Sequence, residues 1–160
     1  MSYKNKIFPV FNKKAIDRIQ KWKSKGAKIV FTNGCFDILH SGHIKYLDEA
    51  AKLGDKFVIG LNSDDSVRRL KGNSRPIKSQ ECRADVLAFM KLIDMVVIFD
   101  EDTPLNLIKS IVPDILVKGG DWSIDQIIGA NIVLKNAGEV KSLSFMEGFS
   151  STNIIKRMKK

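Results

Sequence analysis

Five short runs of apolar and β-branched residues recur along the chain, and segments with helical spacing separate them. The runs lie at 27–33, 56–62, 94–100, 114–120 and 139–145. Between them apolar residues recur every three or four positions, as in Ile16, Ile19 and Trp22. Strands that alternate with helices form a parallel sheet covered on both faces. The pattern therefore predicts an α/β fold with a five-stranded parallel sheet and helices on both faces.

Several polar segments follow the predicted strands. Helices are predicted at 13–25, 41–53, 79–92, 103–112, 123–138 and 150–160, with a polar loop around Gly72 and Pro76. In parallel sheets, ligands bind beyond the carboxyl ends of the strands, where the strand order reverses. The segments TNGCFD, LNSDD, FDEDTP, VKGGDW and FMEGFSST all follow strands and are expected at that edge.

The net charge, the cysteine content and the apolar stretches indicate which partners and which cellular compartment to expect. The formal net charge of +9 favours an anionic partner, such as a nucleotide, a phosphorylated metabolite or a nucleic acid. Cys35 and Cys82 are too few for a disulfide framework and lack metal-ligand spacing, which indicates a reducing cytoplasm. No stretch approaches the ~18 apolar residues of a membrane span, and the first residues lack the apolar core of a signal peptide. We expect a cytoplasmic protein with no membrane partner.

Both histidines of the chain lie in one stretch, FTNGCFDILHSGH (31–43). The turn after the strand exposes backbone N–H groups, and Gly34 allows close approach by a ligand oxygen. The next helix adds unpaired N–H groups and partial positive charge, which suit a phosphate. His40 and His43 lie on one side of its first turn, with Gly42 leaving the backbone open between them. Two imidazoles there can donate hydrogen bonds to phosphate oxygens as charge builds in a transition state.

Other interpretations of this stretch remain open. The histidines could be ordinary cap or core residues, although the flanking glycines make that weaker. Cys35 with both histidines could bind zinc, but a Cys pair and a fourth ligand are missing. Cys35 as a nucleophile lacks an orienting partner.

A basic loop, SVRRLKGNSRP (66–76), follows the second predicted strand. Arg68 and Arg69 are most simply solvated surface charges. Lys71 and Arg75 differ, because they lie in the loop over the expected binding edge.

Two further segments can contact a nucleotide. In VKGGDW, Gly119 and Gly120 allow backbone approach to a base and ribose, although a plain tight turn would use the same residues. Lys118 and Asp121 could simply pair with each other. In EGFSSTN, residues 150–152 supply three hydroxyls at a helix start, more than an N-cap needs, which favours a role in holding the β- and γ-phosphates.

The motif H-x-G-H after a first strand resembles the signature of the nucleotidyltransferase superfamily. One branch is resembled closely, the adenylyltransferase of ADP-heptose synthesis, which elsewhere forms the C-terminal half of a bifunctional kinase–adenylyltransferase. The motifs that carry this are NGCFDILHSGH, LNSDDSVRRLKGNSRPI, ECRADVL, FDEDTP, LVKGGDW and EGFSSTNII. The resemblance covers about residues 27–158 of a single domain, 1–160, and leaves 1–26 as an N-terminal helical extension. It implies a Rossmann-like fold.

The resemblance also implies roles for individual residues. His40 and His43 would stabilise the α-phosphate of ATP, and Arg75 with Ser150, Ser151 and Thr152 would hold the leaving pyrophosphate. Further ATP contacts would come from Asn33, Gly34, Cys35, Phe36, Gly42, Lys118, Gly119, Gly120 and Asp121. Contacts with the sugar phosphate would come from Asp37, Lys45, Asn62, Asp64, Lys71 and Arg83. Lys45 could equally be solvated, and a surface ion pair would explain Arg83 nearly as well.

The implied reaction transfers AMP from ATP to D-glycero-β-D-manno-heptose 1-phosphate, giving ADP-heptose and pyrophosphate. The acceptor phosphate is already an anion, so in-line displacement at the α-phosphate needs no strong general base. Mg²⁺ would travel on the triphosphate, since no carboxylate cluster resembles a metal cage. A homodimer is also expected.

Three alternatives stay open. The first is a CTP- or ATP-dependent relative that acts on another phosphorylated alcohol, such as glycerol 3-phosphate. Phe145 stands where the CTP-dependent cousins usually carry an arginine, which argues against CTP. The second is a nucleic-acid-binding protein, disfavoured because the basic residues are dispersed without an aromatic-rich segment. The third is a catalytically inactive nucleotide sensor.

Overall fold

The strands of the structure, a computed structural model, form one parallel sheet. It describes residues 2–144 and 150–159, so Phe145 and Glu147–Phe149 lie outside the described residues. The strands are β1 (Ile7–Phe8), β2 (Ile29–Gly34), β3 (Lys56–Asn62), β4 (Met95–Phe99), β5 (Ile115–Gly119) and β6 (Glu139–Leu143). Within the described ranges the sheet has six strands in the order β1-β4-β3-β2-β5-β6.

Helices cover both faces of this sheet, as expected for parallel strands. They are α1 (Lys13–Ser24), α2 (Ser41–Ala51), α3 (Asp64–Lys71), α4 (Gln80–Phe89), α5 (Leu105–Ile111), α6 (Ala130–Lys135) and α7 (Ser151–Met158), with 3₁₀ turns at Tyr3–Lys6 and Ile124–Gln126. Side chains alternate between the faces of each strand. In β2, Phe31 packs into the core cluster under α1 and α5, whereas Val30 packs into the one under α2 and α4.

The prediction of five strands is wrong by one. Ile7 pairs with Val96 and Phe8 with Val97, which places β1 parallel to β4 at the edge of the sheet. A strand of two residues is too short for any alternation of apolar and polar side chains to reveal it. The five predicted strands are all present as β2 to β6.

Two helical segments also differ from the predictions. The polar loop after the second predicted strand begins with α3, which Ser63 caps by accepting a hydrogen bond from Ser66 N at 3.0 Å. The long helix predicted at 123–138 is a 3₁₀ turn followed by the short α6. Gly129 separates them because its φ of 85° is left-handed and ends helical geometry.

Candidate active site

A cleft lies beyond the carboxyl ends of β2 and β5, where the strand order reverses. From β2 the chain passes to β3 on one side, and after β4 it returns to β5 on the other side. This is the position at which open parallel sheets bind ligands. The cleft encloses about 320 Å³ and is lined by Asn33, Gly34, Cys35, Phe36, Asp37, His43, Tyr46, Lys71, Arg75, Lys118, Gly119, Gly120, Trp122 and Ser151.

The turn after β2 forms the floor of the cleft. Phe36 has a left-handed φ of 45°, which is rare for a bulky residue and reverses the chain within a short distance. Its ring packs against Gly34, where an added Cβ would lie only 3.0 Å from the ring. A side chain at position 34 would therefore be tight against the Phe36 ring.

The two histidines stack at the start of α2. Their ring centroids are 4.0 Å apart. His40 is the N-cap, and its Nδ1 accepts a hydrogen bond from Gly42 N at 3.1 Å. Accepting through Nδ1 leaves the proton on Nε2, so a neutral His40 keeps an N–H donor at that atom. His40 thus has a capping role in addition to any role toward a ligand.

The protein keeps His43 uncharged at neutral pH. Burial, followed by the proximity of His40 and of Lys71, lowers the pKa of His43 to about 4. Burial also lowers the pKa of His40. Nδ1 of His43 is buried and makes no hydrogen bond within the described part of the chain. A buried polar atom without a partner is costly unless a ligand supplies one.

Asp37 and Arg75 form a buried ion pair beside the histidines. Arg75 Nε donates to Asp37 Oδ2 at 2.7 Å. Burial alone would raise the pKa of Asp37, but hydrogen bonds from Ile77 N and Lys78 N and the Arg75 guanidinium lower it overall. Nη2 of Arg75 is buried without a hydrogen-bond partner in the described ranges. A guanidinium N–H at the wall of this cleft suits an anion.

All three nitrogens of the Arg83 side chain bond with groups of the protein itself. Its Nη1 donates to the carbonyls of Cys35 at 2.6 Å and Asn62 at 2.8 Å. Its Nη2 pairs with Asp64 at 2.7 Å, and its Nε donates to Lys78 O at 3.1 Å. The side chain is fully buried, so it ties the floor of the cleft to the ends of β3 and the loop before α4.

Cationic and aromatic groups complete the walls. Burial lowers the pKa of Lys118, whose ammonium lies 5.8 Å from the centre of the Trp122 ring. Trp122 is itself held by a hydrogen bond from Nε1 to Gly119 O at 3.0 Å. Burial raises the pKa of the Cys35 thiol despite the nearby Lys71 and arginines, so it is mainly protonated at neutral pH.

The start of α7 reaches the same cleft. Ser150 caps the helix by accepting a hydrogen bond from Asn153 N at 3.0 Å, and Ser151 Oγ donates to Ile38 O at 3.0 Å. Ser151 lines the same cleft as His43, so the helix start expected to hold the pyrophosphate lies near a histidine expected to bind the α-phosphate. Thr152 is exposed.

Twelve of the 21 predicted site residues line this cleft, and nine do not. His40 and Gly42 adjoin it through the first turn of α2. Asn62, Asp64 and Arg83 form the supporting network described above. Among the described residues, the predicted contacts that lie outside the lining are His40, Gly42, Lys45, Asn62, Asp64, Arg83, Asp121, Ser150 and Thr152. Lys45 is exposed, with Glu49 4.0 Å away, and Asp121 is also exposed.

Two lining residues, Tyr46 and Trp122, were not predicted to contact a ligand. The Tyr46 hydroxyl bonds with Thr32 Oγ1 at 2.5 Å and lies 3.4 Å from Val117 O, which ties α2 to β2 and β5. Burial raises its pKa to about 12. Helical spacing could have identified Tyr46, because it stands one turn after His43 on the same side of the helix. Trp122 adjoins the predicted Lys118–Asp121 segment, but only the fold shows that its ring faces Lys118.

No group of three His, Cys, Asp or Glu side chains within 2–144 and 150–159 is arranged to hold a metal ion. In the same ranges, no helix has the length and apolar character needed to cross a membrane.

Residues 31–157 match the model of the cytidylyltransferase-like family. The chain belongs to the cytidylyltransferase-like family. This confirms the resemblance to nucleotidyltransferases that the motifs indicate.

Longer bacterial proteins are close relatives of the chain. It is 52% identical over 140 residues to the bifunctional protein HldE of Nitrobacter hamburgensis, a match that covers 88% of this chain and 29% of that protein. It is 54% identical over 143 residues to the bifunctional protein HldE of Haemophilus influenzae, covering 89% of this chain and 30% of the relative. The chain therefore spans less than a third of the length of either curated relative.

One solved structure is similar to the chain in both sequence and fold. The lipopolysaccharide core biosynthesis protein of Thermoplasma volcanium is 30% identical and superposes with a TM-score of 0.59. The match covers 76% of this chain and 98% of that protein.

Proposed function

We propose that this chain transfers AMP from ATP to D-glycero-β-D-manno-heptose 1-phosphate, giving ADP-heptose and pyrophosphate. The observation that carries the proposal is a pair of buried polar atoms, His43 Nδ1 and Arg75 Nη2, which have no partner among residues 2–144 and 150–159 and belong to residues that line one cleft. The cleft also contains Lys71 and Lys118, so it is cationic. Such a site in a member of the cytidylyltransferase-like family suits a nucleoside triphosphate.

The reaction is a single in-line displacement. An oxygen of the acceptor phosphate bonds to the α-phosphorus of ATP, while the bond from that phosphorus to the bridging oxygen of the β-phosphate breaks. The released oxygen leaves on pyrophosphate, and the acceptor needs no base because it is already an anion.

The protein contributes alignment and charge stabilisation. Neutral histidines can donate N–H bonds to the α-phosphate without a charge of their own. Arg75 and the start of α7 can receive the pyrophosphate. Mg²⁺ is proposed to arrive on the triphosphate, because Asp37 and Asp64, which belong to the cleft and its supporting network, already bind arginines.

The choice of ATP and of heptose phosphate depends on the motif resemblance, which is strongest for the ADP-heptose branch. The relatives named HldE and the lipopolysaccharide core biosynthesis protein support that choice. A cytoplasmic location is also proposed from the low cysteine content, and a homodimer from the family resemblance.

Pyrophosphate release tests the proposal directly. A panel crosses ATP, CTP, GTP and UTP, each with Mg²⁺, against heptose 1-phosphate, glycerol 3-phosphate and other sugar phosphates. We expect release with ATP and the heptose phosphate. Release only with CTP and glycerol 3-phosphate would support the alternative substrate pair, and ATP binding without release would indicate a nucleotide sensor.

His43→Ala tests the chemistry in the same assay. Loss of a hydrogen bond to the transition state should lower kcat by ~10²-fold or more. Asp48→Ala is the matched control, since Asp48 is exposed on the same helix and, within the described part of the chain, bonds only Lys52. Equal turnover of His43→Ala and wild type would remove His43 from the mechanism.

A further inference from the structure

Asp37 directs its carboxylate toward the protein and away from a ligand. It is only 3% exposed although it belongs to the lining of the cleft. Its Oδ2 accepts from Arg75 Nε at 2.7 Å, and its Oδ1 accepts from Ile77 N at 2.9 Å and Lys78 N at 3.0 Å. Ile77 N also lies 3.0 Å from Oδ2. Both oxygens are therefore occupied by donors from one short segment, 75–78.

These bonds leave Asp37 poorly suited to touch the acceptor. A carboxylate facing a sugar phosphate would repel it, whereas this carboxylate is neutralised by Arg75 and two backbone N–H groups. The geometry therefore gives Asp37 a different role from the predicted contact with the sugar phosphate. The Asp37 side chain instead binds the segment 75–78, of which Arg75 lines the cleft.

The ion pair with Asp37 fixes the orientation of the Arg75 guanidinium. A guanidinium is planar, so anchoring Nε sets the direction of the remaining N–H groups. Arg75 is 8% exposed and lines the cleft, and its Nη2 is buried without a partner in the described ranges. Anchoring through Nε holds the guanidinium in a fixed orientation at the wall of the cleft, where it is preformed to bind an anion. A preformed donor saves the cost of ordering a long side chain when the ligand binds.

We propose that Asp37 is a positioning residue that holds Arg75 and the 75–78 segment in place to bind the pyrophosphate portion of the nucleotide. This deepens the proposed function and rests on it. Asp37 joins the turn after β2 to the loop before α4, two segments separated by 38 residues at the ion pair. Through Asp37, the floor of the cleft and its phosphate-binding wall form one unit.

Asp94 offers a matched control for Asp37. Its Oδ1 accepts from Lys56 Nζ at 2.9 Å, and its Oδ2 accepts from Phe57 N at 2.9 Å. It therefore makes the same kind of bonds, to one cation and one backbone N–H. It precedes β4 at the amino edge of the sheet, opposite the cleft. Asp94→Asn should leave pyrophosphate binding and kcat within about 2-fold of wild type.

The test is a double-mutant cycle with inorganic pyrophosphate as the probe. Asp37→Asn, Arg75→Met and the double variant are compared with wild type by titration calorimetry and by kcat and KM. We expect Asp37→Asn and Arg75→Met each to weaken pyrophosphate binding by about 10-fold or more, as for a lost hydrogen bond to a charged group. The double variant should be no more than about 3-fold weaker than Arg75→Met, because residues that act through one another are not additive.

A further variant, which keeps the positive charge at position 75, allows the proposal to be tested even if Asp37→Asn does not fold. Arg75→Lys retains the charge but cannot bond Asp37 through Nε while presenting a second fixed N–H group. It should weaken pyrophosphate binding as Asp37→Asn does. Wild-type affinity in Arg75→Lys would overturn the proposal, since charge without orientation would then suffice.

The remaining outcomes separate the two claims. Additive effects in the cycle, or a rise in the acceptor KM that persists in the Arg75→Met background, would mean that Asp37 touches a ligand itself and would overturn the positioning role. If the cycle is non-additive but the wild-type protein releases no pyrophosphate in the substrate panel, the positioning role is supported and the proposed function is overturned. Failure of the wild type to bind pyrophosphate would overturn both.

Discussion

At the scale of single residues, the cleft combines neutral donors with fixed cations. Neutral His40 and His43 can donate hydrogen bonds, while Arg75 and Lys71 supply positive charge. A protonated His43 would lie beside Lys71 and His40, and burial would disfavour its charge further. The protein therefore keeps its imidazoles uncharged for hydrogen bonding and supplies positive charge to the cleft through other side chains.

The titration of His43 is a direct prediction. In the free protein, NMR of the imidazole carbon-bound protons should give a pKa of about 4, compared with the ordinary 6.5. Burial is the main cause, so the shift should persist at high salt. His43→Ala identifies the signal by its loss. A value between 6 and 7 would contradict the burial described for this ring.

The same shift affects stability. Below pH 6.5 an unfolded chain protonates His43, whereas the folded protein does so only near pH 4. The unfolded state then binds more protons, so stability falls as the pH falls from 6.5 toward 4. His43→Gln should lose less stability over this range than wild type in urea unfolding.

At the scale of elements, the loop before α6 depends on one glycine. Gly129 has a φ of 85°, and an added Cβ would lie 2.7 Å from Ile108 Cδ1 in α5. Gly129→Ala should lower the free energy of unfolding by ~2–4 kcal/mol, from about 1–2 kcal/mol of left-handed strain and a similar cost of overpacking. Urea denaturation measures this loss.

Gly26 separates the two causes. Its φ is 75°, and nothing lies within 4 Å of an added Cβ. Gly26→Ala should therefore cost only the strain of about 1–2 kcal/mol. Equal losses in the two variants would show that Ile108 moves aside and that packing contributes nothing at Gly129.

The elements that the sequence predicts well are those with long apolar patterns. The strand predicted at 56–62 is β3 with the same bounds, and the helix predicted at 13–25 is α1 to within a residue. In α3 only Ser66 and Val67 are buried, and its charged sequence contains a single apolar pair, Val67 and Leu70, so the pattern predicts a loop. The edge strand β1 and the break at Gly129 depend on pairing and on a backbone angle, neither of which a pattern of side chains reports.

The site residues also divide into those whose place the sequence predicts and those whose role depends on how segments pack. Motif order predicts that His43, Arg75, Lys118 and Ser151 meet, and the structure brings them to one cleft. Motif order cannot distinguish a residue that faces a ligand from one that braces its neighbours. Arg83 has the charge of a phosphate contact, but its contacts with Cys35, Asn62 and Asp64 depend on how three segments pack.

At the scale of the whole molecule, the amino-terminal residues belong to the sheet. Phe8 in β1 is 4% exposed and packs in the core cluster under α1 and α5, with the Arg18 guanidinium 4.9 Å from its ring centre. Phe8→Ala should cost ~3–5 kcal/mol, the usual range for a buried phenylalanine, in the same unfolding assay. This tests the interpretation of residues 1–160 as one domain.

Phe89 is the control for ring size. It is 76% exposed and contacts Tyr3 edge to face. Phe89→Ala should cost less than about 1.5 kcal/mol, the upper end for a single aromatic pair. A Phe8→Ala loss no larger than this would mean that the amino-terminal segment is dispensable for the fold.

The position of β1 matters for how the molecule can be handled. β1 is three strand positions from β2, roughly 14 Å at the usual spacing, and the chain enters it from the amino edge. The last helix, by contrast, begins in the wall of the cleft at Ser151. An affinity tag or surface tether attached ahead of Ser2 would therefore emerge on the amino side of the sheet, opposite the cleft.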